Sequence, residues 1–169
     1  MKVRRLLVPV IAGCAIFGFA APASATPPDR FSFSESGSEP GFVQCDGFEI
    51  NLEGASTTEV TVFFDESGEV VKIIARTRVT ETFTNSVTGK TVVNHGVFQD
   101  FFTRIGSTGQ FTHSVSGYDF KATLPGEGLV LAEIGRKVYS LSGEQVVFQA
   151  GQNLPDGPAV EAIFCAAVS

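Results

Sequence analysis

The chain is poor in the residues that most often carry chemistry. Its two histidines, His95 and His113, stand apart with no H-x-x-H or comparable spacing, so no metal ligand set can be read from it. G-x-S-x-G is absent, which removes a common signature of serine hydrolases. Thr88-Gly89-Lys90-Thr91 ends like a phosphate loop but lacks that loop's earlier glycine and a helix to follow it; it reads as a hairpin turn, and no cofactor is expected. Basic residues number 12 against 18 acidic ones, a balance that disfavours nucleic acid and anionic membrane surfaces as partners. After the first 25 residues no apolar run approaches the length of a membrane-spanning helix, and no internal repeat or low-complexity linker divides what remains.

What is present begins with an export signal. Lys2, Arg4 and Arg5 precede an apolar stretch that ends in the small residues Ala23-Ser24-Ala25, the pattern of a secretory signal peptide over residues 1–25, with cleavage before Thr26. Ile11-Ala12-Gly13-Cys14 offers the alternative of a lipobox and a lipid anchor on Cys14. The apolar run Ala15-Ile16-Phe17-Gly18-Phe19 that follows favours one unbroken signal core and a secreted protein. Removing 25 of 169 residues leaves 144, enough for a single β domain over 26–169, and moves the formal charge from −6 to −9. Cys45 and Cys165 are the two cysteines left, and export brings them to a compartment where a disulfide persists. The rival reading is a buried or intermolecular thiol.

The strongest local signal is a long β-hairpin. Glu69 to Phe83 and Thr91 to Ile105 are rich in Val, Ile, Thr and Phe without helical spacing, and the loop Ser86 to Gly89 would pair Asn85 with Lys90. That register sets Phe98 opposite Thr77 and Phe102 opposite Ile73. Lys72, Arg76 and Arg78 then fall on the other face. Asp65-Glu66-Ser67-Gly68, Gly106-Ser107-Thr108-Gly109, Pro125-Gly126-Glu127-Gly128 and Ser142-Gly143-Glu144-Gln145 read as further turns. Short strands between them are expected around Phe31 and Phe33, Phe48 to Leu52, Thr58 to Phe64, Phe111 to Ser116, Leu129 to Ile134, Val138 to Leu141 and Val146 to Ala150. The final apolar run to Cys165 is strand or helical turn. The expected class is therefore all-β, a single antiparallel β-barrel or barrel-like sandwich of roughly nine or ten strands built on long hairpins. A bridge between first and last strands would favour closure.

In layout the chain resembles a family of small secreted proteins of Gram-positive bacteria with no assigned activity. The resemblance is carried by Asp29-Arg30-Phe31, Cys45-Asp46-Gly47-Phe48, Gly89-Lys90-Thr91-Val92, Gly135-Arg136-Lys137-Val138-Tyr139 and Cys165-Ala166-Ala167. It implies export, a β fold and a disulfide, and no catalytic residue. The family's cysteine is followed directly by Gly-Phe, so the intervening Asp46 allows a local bulge.

The register also gathers Glu81, Asn94 and Asp100 among Phe98 and Phe102 on one strand face. Inside a barrel, two carboxylates and an amide among aromatic rings would line a ligand cavity, with desolvation raising a carboxyl pKa; on a solvent face they would be ordinary surface groups. The expectation is a secreted, non-enzymatic binding module for a small apolar ligand or a cell-envelope partner. The alternatives are a cofactor-free isomerase or hydrolase using Glu81 or Asp100, and a surface-interaction protein with a packed core.

Overall fold

A computed structural model describes residues 26–169; the expected signal peptide over 1–25 and the alternative lipobox at Cys14 lie outside the described residues. Seven strands follow one another: β1 (Asp29–Cys45), β2 (Phe48–Phe64), β3 (Val70–Asn85), β4 (Thr91–Arg104), β5 (Phe111–Leu124), β6 (Gly128–Tyr139) and β7 (Val146–Gln152). They end in one helix, α1 (Gly157–Val168). All strand pairs are antiparallel, and the spatial order is the chain order.

The all-β expectation holds, while the strand count is seven rather than nine or ten. The expected strands at Phe48 to Leu52 and Thr58 to Phe64 are one, because Gly54-Ala55-Ser56 stays paired with Val79 to Glu81 instead of turning. Leu129 to Ile134 and Val138 to Leu141 also merge, through Gly135, and the last apolar run is helix. Barrel closure is not seen. Among the described residues β1 and β7 do not pair, so the sheet has two free edges, and Cys165 sits on α1 and not on a final strand. The bridge joins helix to β1, with Cα atoms 5.7 Å apart.

The turns work as their chemistry demands. Asn85 Oδ1 accepts from Val87 N and Thr88 N at 2.8 and 3.0 Å, and Asn85 N donates to Lys90 O at 2.9 Å, which fixes the four-residue loop and the expected register. Phe98 is opposite Thr77 and Phe102 opposite Ile73. Asp46-Gly47 is a two-residue hairpin turn with Gly47 at φ 83°; Asp46 completes that loop and makes no bulge, since Cys45 pairs directly with Phe48. At the β2–β3 turn, Asp65 Oδ1 takes hydrogen bonds from the Ser67 hydroxyl and the Ser67 and Glu69 amides, and Arg104 reaches its other oxygen. These bonds, the Ser67 hydroxyl first and Arg104 next, hold its pKa far below the usual carboxylate range.

The core lies at the end of the sheet nearest the Asn85 turn. Val43, Ile50, Phe83, Val92, Ala122 and Leu124 come from five strands and close over Phe164 and Val168 of the helix. Phe164 packs tilted against Phe83 at 4.7 Å between centroids and meets Phe120 edge-on at 5.8 Å, a burial that stabilises by about 3 kcal/mol. Orphan carbonyls at the helix C-terminus are taken by the hairpin: Asn85 Nδ2 donates to Val168 O at 2.9 Å and Lys90 Nζ to Ser169 O at 3.3 Å. Thus one end of the sheet is sealed by helix, turn and disulfide, and the face beyond it is left to form the site.

Candidate functional site

Strand alternation puts Leu52 and Ser56 of β2, Thr77, Val79, Glu81 and Phe83 of β3 and Phe98 of β4 on one face. That face and the N-terminal turn of α1 enclose an open cavity of about 830 Å³. Phe42, Phe83, Phe98, Phe120 and Phe164 supply its rings, and Glu81, Asp119, Glu133 and Glu161 its carboxylates.

Two irregularities make this shape. The first is a row of glycines across the sheet: Phe98 pairs with Gly117, Gly117 with Gly135 and Gly135 with Gly151. Gly117 and Gly151 have φ of 138° and 113°, a region closed to other residues, and without Cβ atoms the backbone of β5 approaches β4 closely and that of β6 approaches β7. The second is a bulge. His95 and Gly96 of β4 face three residues of β5, Asp119, Phe120 and Lys121, and the extra residue shifts the phase of β5. Asp119 and Phe120, adjacent in sequence, therefore both line the cavity. A Cβ at Gly96 would stand 2.6 Å from the Asp119 carbonyl oxygen, so the bulge needs glycine there.

Asn94 braces this region. It is fully buried, accepts from Lys121 N at 2.6 Å through Oδ1, and donates to Glu81 Oε2 at 2.9 Å through Nδ2. The amide freed by the bulge is thereby satisfied and the Glu81 carboxylate held in place. Across the cavity Glu133 is paired with Lys137 at 2.7 Å. Burial, followed by the charge of Glu133, pushes the Asp119 carboxyl up, against the pull of Lys137; Asp100 and Glu81 push the same way. Lys137 is lowered by burial, but its bond to Glu133 outweighs this and its pKa is raised.

The five residues expected to form the site are divided. Glu81 and Phe98 line the cavity, and Asn94 stands behind Glu81. Asp100 and Phe102 lie farther from α1 on the same face, where the His113 Nε2–H donates to Asp100 Oδ1 at 2.8 Å. The His113 ring is sandwiched between Phe102 and Tyr139, at 4.3 and 4.6 Å. His95 is on the opposite face, bonded to Thr80, so the two histidines are separated by the sheet itself. Sequence reasoning missed Asp119, Phe120 and Glu133. The available signal was Gly117 inside a strand pattern, a mark of a bulge. Among the described residues no cluster of His, Cys, Asp and Glu has the arrangement of a metal site.

Compared with protein-family models, with curated proteins and with solved structures, the chain matches none.

Proposed function

We propose that the chain is an exported, non-enzymatic binding protein that takes a small, largely apolar ligand between the sheet and α1. The observation that carries this is the cavity: its volume falls in the range of small-molecule sites, and its lining residues are mostly apolar, five of them phenylalanine, with polar groups converging on it. A protein acting only through its surface would fill that space with side chains. A cell-envelope component is the natural source of such a ligand, since the Cys45–Cys165 bridge suits an oxidising compartment. No described helix is long and apolar enough to cross a membrane.

An apolar fluorescent probe is expected to bind the folded protein saturably. Phe98→Glu, which puts a charge into the cavity wall, should weaken binding about tenfold or more, whereas Lys72→Glu on the opposite face should leave it unchanged. Equal binding by both folded variants, checked by β circular dichroism, would refute the assignment. Export has its own measurement: protein from culture medium should have the unmodified mass of a chain starting at Thr26, and a diacylated Cys14 would contradict it.

A further inference from the structure

The cavity, and not any cluster of charges, makes the site; the charges on its wall decide which ligands enter. Among the described residues that line it there are four carboxylates, Glu81, Asp119, Glu133 and Glu161, and no lysine or arginine. Of the four, Glu133 is neutralised by Lys137. Glu81 gives one oxygen to Asn94 and keeps Oε1, and Asp119 is turned into the same space by the bulge. An apolar molecule with an anionic head would bring like charge into a partly desolvated wall, which is unfavourable.

We infer that the ligand is an amphiphile with a cationic head, an ammonium carried on an apolar body. This rests on the cavity reading above and names the class of molecule for it. Two independent features suit such a head. Carboxylates at Glu81 and Asp119 supply opposite charge, and the cavity shares its lining with Phe42, Phe98 and Phe120, aromatic side chains of the type that hold alkylammonium groups. The apolar tail then lies on Phe83, Val160 and Phe164 toward the core.

Three compounds of one chain length separate charge from apolar burial: dodecyltrimethylammonium, dodecan-1-ol and dodecanoate. Each competes with the fluorescent probe at neutral pH, below its micelle concentration. The ammonium is expected to displace the probe at a concentration about tenfold lower than dodecanoate, with the alcohol between. Because the chain carries net negative charge overall, Glu127→Gln at an exposed turn serves as control and should leave this ratio unchanged. Glu81→Gln and Asp119→Asn, both near-isosteric, should each reduce the ratio, and the pair should bring it within about twofold of unity. Should dodecanoate bind as well as the ammonium, or Glu127→Gln erase the preference as fully as the cavity variants do, the cationic assignment falls while the cavity reading stands. Failure of all three compounds and the probe on the folded parent overturns both.

Discussion

Replacing Cys45 and Cys165 with alanine will lower the free energy of unfolding by about 5 kcal/mol, the chain-entropy value for a loop closed across 120 residues. Typical domains have ~5–15 kcal/mol in all, so this single bond separates a robust fold from a marginal one. The cost follows from placement. Cys165 lies beside Phe164 on α1, and the helix is otherwise tied to the sheet by the Phe83 and Phe120 contacts and the bonds from Asn85 and Lys90 to its last carbonyls. With the bridge gone, the helix should detach before the sheet melts and the cavity should lose a wall. Denaturant titration with and without reductant, beside non-reducing peptide mapping that recovers the two cysteine peptides joined, measures this. A loss below about 1 kcal/mol would show that packing alone holds α1.

Gly117→Ala is expected to destabilise by at least about 3 kcal/mol although it adds a single methyl group. At φ 138° the backbone occupies a region essentially reserved for glycine, and a Cβ there would stand 2.7 Å from Phe98 Cα in the neighbouring strand. No flexible side chain can yield, because the obstructing atoms are backbone. Gly37, another strand glycine, has nothing within 4 Å of its missing Cβ and no positive φ, so Gly37→Ala should change stability by less than about 0.5 kcal/mol. Thermal and denaturant midpoints of the two variants test the comparison. Similar values would mean that the glycine row is incidental to the shape of the sheet.

The parts of this fold that could be read in the sequence are those set by local chemistry. Asn85 and Gly89 specify their turn whatever surrounds them, and the turn then sets the pairing of Phe98 and Phe102, 8 and 12 residues beyond Lys90 along the arm. Gly54 and Gly135 were misleading for the same local reason: glycine usually punctuates, and only the neighbouring strands show that here Gly54 stays paired and Gly135 lets the backbone of β7 pass close by. The last apolar run reads as strand or helical turn because its short, nearly all-apolar sequence carries little periodicity, and its partners Phe83 and Phe120 are remote in the chain. Half of the site escaped notice. Glu81, Asn94 and Phe98 follow from strict alternation, whereas Asp119 enters through a bulge that breaks alternation, and Glu133 through pairing with the bulged strand.

The meander order bears on how the molecule assembles. Since every strand pairs with the one before it, each hairpin can zip as soon as its two arms exist, and the entropy of loop closure stays small at every step of building the sheet. Among the described residues only one union joins the two ends, that of α1 with β1, and the surface it needs is contributed by five strands already in place. Assembly of the sheet therefore creates the template on which its own seal is fitted, and oxidation of the cysteines records that the task is finished.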